Sequence, residues 1–206
     1  MPKVAILDYG VGNLLSVERA FHFLGIPNIR TNDEIEISGA THLILPGVGA
    51  FGSAISVLKE NGLDLVIKKF ANSGKPLLGI CLGMQLLFDK SHEFGLHEGL
   101  GLVPGEVKPI SGNLDKTEKV PSIGWKNLVC NIKSTINFDI KSSSYFYFVH
   151  SFMGVPENNS DLVASYYYAD LTIPAIVRRR NVIGVQFHPE KSGKDGLELI
   201  RDFARL

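Results

Sequence analysis

Gly79-Ile80-Cys81-Leu82-Gly83 concentrates more chemistry than any other short segment of this 206-residue chain. An apolar run from Pro76 to Ile80 precedes it, and a helical pattern from about Leu82 to Phe88 follows. That is the setting of a nucleophile elbow with cysteine in the place of serine. The two glycines permit the sharp turn that lifts the side chain out of the sheet, and the start of a helix favours thiolate over thiol. A solitary cysteine is more often a small buried hydrophobe. The flanking glycines and the strand-to-helix context argue here for a reactive one.

A cysteine nucleophile needs a base, and the base needs support. Val185-Gln186-Phe187-His188-Pro189-Glu190 offers both at the end of an apolar strand. In extended chain residues 188 and 190 point to the same side, and Pro189 keeps His188 out of the helical region. The spacing predicts that Glu190 holds one imidazole nitrogen and leaves the other for the Cys81 thiol. Taken alone, His-Pro-Glu reads as a solvated corner; beside a cysteine elbow it reads as base and orienter. Pro46-Gly47-Val48-Gly49 also closes a strand and offers backbone N–H donors to an oxyanion, although the same four residues would serve as a plain turn.

The elements that must position these groups come from hydrophobic periodicity. Val4 to Leu7, His42 to Leu45 and Pro76 to Ile80 read as buried strands, and Leu14 to Leu24, Ala54 to Lys59 and Leu65 to Ala71 as helices between them. Strands alternating with helices imply parallel βαβ units with helices on both faces. In the second half Leu102 to Ile110, Asn127 to Cys130, Tyr145 to Phe152, Leu162 to Ala169, Ile173 to Arg178 and Val182 to Phe187 all read as strands, and Gly196 to Leu206 as a closing helix. Ser111 to Lys119 and Asn131 to Ser144 are polar and read as loops. The expected fold is α/β: one domain over 1–206, with an open, mixed, mostly parallel sheet and a strand-rich C-terminal half.

Composition narrows the partners. Lys plus Arg and Asp plus Glu are 21 each, so no overall field favours nucleic acid or an anionic membrane. Two cysteines, Cys81 and Cys130, are too few for a disulfide scaffold and suit a reducing cytoplasm. No apolar run approaches the ~20 residues that span a bilayer, and Asp8 interrupts any N-terminal signal core. Cys130 has no elbow and reads as an inert strand residue. Arg178-Arg179-Arg180-Asn181 reads as a charged hairpin tip rather than an anion site. The histidines lack metal-ligand spacing, and neither a metal nor a cofactor is expected.

Together these segments resemble the class I, triad-type glutamine amidotransferases, and within them the glutaminase subunits of imidazole glycerol phosphate synthases. The resemblance runs through Asp8-Tyr9-Gly10-Val11-Gly12-Asn13, Pro46-Gly47-Val48-Gly49-Ala50-Phe51-Gly52, Gly79 to Phe88, Phe148-Val149-His150-Ser151 and Gly184 to Ser192, and so covers nearly the whole chain. It implies Cys81 as nucleophile, His188 as base and Glu190 as its support. It implies Leu82 and the Val48–Gly49 backbone for the oxyanion, and Gln85, Glu93 and the Ser151 region for glutamine. It further implies a heterodimer with a (β/α)₈-barrel cyclase that receives the ammonia for histidine biosynthesis. One stretch departs from the family: Pro121-Ser122-Ile123-Gly124-Trp125-Lys126 stands where Pro-His-Met-Gly-Trp-Asn is usual, near the docking surface for the cyclase. The departure leaves open a paralogous role, supplying ammonia to amidinate a bacterial surface sugar.

Overall fold

The computed structural model describes residues 3–110, 119–130, 138, 140, 141 and 143–206; the two segments expected to be loops lie mostly outside these residues. The main sheet begins with β1 (Val4–Leu7), β2 (Asn28–Thr31), β3 (His42–Leu45) and β4 (Leu77–Ile80). Each is four residues long. Of these, β1, β3 and β4 are buried throughout, as strands covered on both faces must be. Between them run α1 (Leu14–Phe23), α2 (Glu34–Gly39), α3 (Phe51–Glu60) and α4 (Leu63–Asn72). The short α5 (Leu82–Leu86) follows β4 directly.

The alternation of side chains along β1 decides which helix covers which face. Val4 and Ile6 pack with Val17, Ala20 and Phe21 of α1 and with Leu199, Ile200 and Phe203 of the C-terminal helix. Ala5 and Leu7 pack instead with Ile37, Phe51, Leu58, Ile67 and Phe70 from α2, α3 and α4. Helices therefore lie on both faces, as the βαβ pattern predicts.

After α5 the chain is rich in strands. These are β5 (Phe88–Ser91), β6 (His97–Glu98), β7 (Val103–Pro109), β8 (Ser122–Asn127), β9 (Val129–Cys130), β10 (Tyr145–His150), β11 (Phe152–Pro156), β12 (Leu162–Tyr168), β13 (Leu171–Arg179) and β14 (Val182–Val185). The last helix, α6 (Gly193–Phe203), starts three residues before the sequence signal. The order in the main sheet is β2-β1-β3-β4-β14-β13-β12-β9, parallel from β2 to β14 and antiparallel beyond. A four-stranded sheet, β11-β7-β5-β6, and the β10-β8 ribbon complete the strands.

Several elements differ from expectation. The strand β2 and the helix α2 went unread because Asn28-Ile29-Arg30-Thr31 is an edge strand with mostly half-exposed side chains and α2 has only six residues. The helix after Cys81 stops at Leu86, and Phe88 already belongs to β5. The expected Tyr145–Phe152 strand is two strands that leave each other at Ser151, β10 pairing with β8 and β11 with β7. The motif Pro121–Lys126 falls in the strand β8 (Ser122–Asn127), and the strand expected over Asn127–Cys130 is instead the end of β8 and, after Leu128, the two-residue β9. Arg178–Asn181 does close a hairpin, with Arg180 at φ 55°.

Candidate active site

Parallel strands end together, so whatever follows them is gathered at one edge of the sheet. Cys81 follows β4, Gln186 to His188 follow β14, Pro46 to Gly49 follow β3, and Tyr9 follows β1. Open α/β sheets bind ligands at this carboxyl edge.

Cys81 sits at φ 55°, ψ −109°, a conformation that L residues rarely adopt and that the packing around the elbow enforces. Its N–H donates to Val185 O at 2.8 Å, tying the turn to β14. The flanking glycines are obligatory on steric grounds. A Cβ on Gly83 would stand 1.8 Å from Leu45 O, and one on Gly79 would stand 2.6 Å from Gly83 O. The elbow thus packs backbone to backbone against β3. Gly47 completes the arrangement, because a Cβ there would press on Gly83 N, Leu82 Cβ and the Tyr9 hydroxyl at 2.9–3.0 Å. Tyr9 in turn donates to Pro46 O at 2.8 Å and anchors the root of the glycine loop. Burial, followed by the neighbouring Cys81, pushes the Tyr9 phenol well up.

His188 leaves β14 in extended conformation and its Nδ1 lies 2.8 Å from Glu190 Oε1. The pairing is made differently from the sequence expectation. Pro189–Lys191 is a 3₁₀ turn, and its tightness, rather than strand alternation, brings Glu190 back under the ring. Both side chains are buried, and among the described residues Glu190 Oε2 has no hydrogen-bond partner. Burial alone would lower the His188 pKa. Hydrogen bonding to the Cys81 thiol and to Glu190, with the charge of both, lifts it instead from 6.5 to about 10. The arrangement favours the protonated imidazolium of His188.

A cleft of about 320 Å³ opens over this edge, lined by Val48, Gly49, Cys81, Leu82, Gln85, Glu93, Ser151 and His188 among others. Every residue singled out from the sequence is therefore on the cleft wall, except Glu190, which stands behind His188. Glu93 also accepts from Phe51 N at the start of α3, at 2.5 Å. Sequence reasoning gave no role to Tyr9, His150, Phe152 or Gln186. The motifs containing Tyr9, His150 and Gln186 were visible, and Phe152 lies just past one of them, but their inward contacts come from strand register, which no local pattern encodes.

The whole chain bears this likeness out. The model of the family described as glutamine amidotransferase class-I matches residues 5–205. This chain belongs to the class-I glutamine amidotransferase family. It is 46% identical over 213 residues, covering all of both chains, to imidazole glycerol phosphate synthase subunit HisH 1 of Legionella pneumophila (strain Lens). It is 41% identical to the HisH subunit of Chlorobium luteolum (strain DSM 273 / BCRC 81028 / 2530), over 98% of each chain. Among solved structures, a glutamine amidotransferase crystal structure superposes with a TM-score of 0.74 at 21% identity over 98% of this chain and 99% of that one. The Thermotoga maritima PurLQS structure gives 0.75 at 21% identity, over 99% and 98%. These two carry the family's fold in sequences that have otherwise diverged.

Proposed function

We propose that this amidotransferase is the glutaminase subunit of an imidazole glycerol phosphate synthase, with Cys81, His188 and Glu190 as its triad. The observation that carries the chemistry is that the strained Cys81 elbow and His188, backed by buried Glu190, converge on one cleft wall.

Glutamine enters the cleft, and the Cys81 thiolate attacks its side-chain carboxamide carbon. The new C–S bond pushes the carbonyl electrons onto oxygen. Backbone N–H groups of the Val48–Gly49 loop and of Leu82 receive that oxyanion. The imidazolium of His188 gives its proton to the departing nitrogen, and the C–N bond breaks to free ammonia. A γ-glutamyl thioester remains; His188, now neutral, takes a proton from water, whose oxygen displaces the sulfur as glutamate forms. Glu190 holds the Nδ1 proton throughout and fixes the ring.

Substrate recognition follows from which atoms are free. Gln85 Nε2 already donates to Phe152 O at 3.0 Å and to Gln186 Oε1 at 3.1 Å, so only its side-chain oxygen remains. That oxygen and the Glu93 carboxylate are both acceptors, and they suit the α-ammonium of glutamine. Ser151 offers a hydroxyl donor to the α-carboxylate.

The ammonia passes to a (β/α)₈-barrel cyclase bound as heterodimer partner, which makes imidazole glycerol phosphate and aminoimidazole carboxamide ribotide in the histidine pathway. No nucleic acid or membrane takes part, no cofactor is needed, and the cytoplasm is the setting. Among the described residues no helix is long and apolar enough to cross a membrane. The departure at Ser122 does not touch the triad. Glutamate release by the complex with its cyclase is the test: Cys81→Ala is expected to abolish it, and retained release would overturn the assignment.

A further inference from the structure

The register of β14 against β4 pairs Val185 with Ile80, so the next residues along, Gln186 and Cys81, stand side by side at the sheet edge. Gln186 is fully buried. Its amide nitrogen lies 3.8 Å from Cys81 Sγ, and its oxygen lies 3.1 Å from Gln85 Nε2.

An amide can be turned end for end, so the orientation needs a reason, and the neighbours supply one. Phe152 O is a carbonyl and can only accept. The Gln85 atom 3.0 Å from it must therefore be the nitrogen. That nitrogen has two hydrogens, and the second goes to Gln186. The Gln186 atom facing it must then be oxygen, which leaves the Gln186 nitrogen facing sulfur. Turning Gln186 over would set two donors against each other at Gln85 and an acceptor against Cys81. One backbone carbonyl thus fixes two side-chain amides in sequence.

We infer that Gln186 is a dedicated donor to the Cys81 sulfur, held in register by the chain from Phe152 O through Gln85, and that it stabilises the thiolate over the thiol. The inference rests on Cys81 being the nucleophile. A neutral N–H gains most from a charged acceptor, so the contact strengthens on deprotonation and during departure of sulfur from the thioester. The titratable groups around the sulfur are His188 with Glu190 behind it, Tyr9 from the loop after β1, and His150 and Glu93 across the cleft. None of them duplicates a fixed neutral donor. Gln85 gains a second duty: besides lining the cleft it orients the amide that orients the sulfur.

The test is the pH dependence of Cys81 alkylation by iodoacetamide in the full-length chain, which needs no bound glutamine. Gln186→Met removes the donor in nearly the same volume, and its midpoint is expected to rise by about one pH unit, the scale of a hydrogen bond to a charged group. Gln186→Glu keeps the acceptor toward Gln85 but presents a carboxylate oxygen to sulfur, and its midpoint should rise further. Gln85→Met leaves Gln186 in place and frees it to turn, and should give a smaller rise. A variant merely loosened would show a lower melting temperature without this order of midpoints. Midpoints of Gln186→Met and Gln186→Glu within about 0.3 unit of the parent overturn the inference while Cys81 remains the nucleophile. If the parent Cys81 is not alkylated, or Cys81→Ala still releases glutamate with the synthase, the function and the inference fall together.

Discussion

Two buried histidines on the cleft wall are pushed in opposite directions, and the difference lies in what each one faces. His188 faces a thiol and a carboxylate, and its proton is held up to about pH 10. His150 makes its hydrogen bonds to neutral groups: Nδ1 lies 2.7 Å from Phe152 O, and Nε2 lies 2.8 Å from the Tyr166 hydroxyl, which itself is 3.1 Å from Ser122 Oγ. Burial, helped by the charge of His188, lowers its pKa to about 4 against an upward pull from the Phe152 carbonyl. For His188 the folded-state value lies above the unfolded one, so its contribution to stability is complete below about pH 6.5 and is lost as pH rises through about 10. For His150 the order is reversed. Its contribution is complete above about pH 6.5 and is lost as pH falls through about 4, a loss on the order of 3 kcal/mol for a shift of that size. His150→Gln should therefore be less stable than the parent near neutrality yet lose less on acidification. Denaturant unfolding of both proteins at about pH 7.5 and about pH 4.5 measures it, and parallel acid losses would count against a buried neutral His150.

At the scale of elements, the site depends on three loop starts pressed together with no room for a methyl group. The elbow between β4 and α5 touches the end of β3 through Gly83, and the two backbones are close enough that Leu45 O occupies the place of a Cβ. Gly83→Ala has no flexible side chain to displace, so one of two central parallel strands must move. A loss above about 4 kcal/mol is expected, enough to cost most of a domain's stability. Gly25→Ala gives the contrast: its φ of +67° strains any side chain, yet none of the described residues comes within 4 Å, and a cost of about 1 kcal/mol is expected. Soluble yield and melting temperature of the two variants decide it, and equal values would mean the elbow is looser than its contacts indicate. This packing also explains what could be read beforehand. The strands β1, β3 and β4 and their helices announce themselves by apolar runs and helical spacing, and the elbow by its glycines. The candidate residues Cys81 and His188 could be picked out beforehand because each sits in a short contiguous motif. The 3₁₀ turn that brings Glu190 under His188, the split between β10 and β11 at Ser151, and the Gln85–Gln186 contact were not. The first is a local turn that the apolar pattern does not mark, and the other two are settled by pairing between segments far apart in the chain: Gln85 and Gln186 are 101 residues apart, and local propensity says nothing about such a pair.

At the scale of the whole molecule, the cleft is assembled on a rigid sheet edge except on one side. The elbow and the His188–Glu190 pair are buried and tied to β14 and to each other, and Tyr9 ties the root of the β3 loop through Pro46 O. Between that anchor and Phe51 N, which donates to Glu93, Val48 is 39% exposed, and among the described residues nothing lies within 4 Å of a Cβ placed on Gly49, at φ +93°. A glycine there lets the Val48–Gly49 peptide take either orientation at little steric cost. The N–H proposed to receive the oxyanion thus lies in an open, glycine-containing part of the site. Removing one such donor costs ~10²–10³ in rate, so a partner that turns one peptide into place works as a switch of that size. The isolated chain is expected to release glutamate slowly, and its complex with the synthase and acceptor at least about a hundredfold faster. Gly49→Ala tests the loop itself, because a side chain at positive φ biases the peptide toward one orientation. It should narrow the ratio between complex and isolated chain while leaving Cys81 alkylation unchanged. Glutamate release by the chain alone, by the complex, and by the complex with acceptor measures the ratio. Equal rates in all three, or a Gly49→Ala ratio equal to the parent's, would show that the switch lies elsewhere.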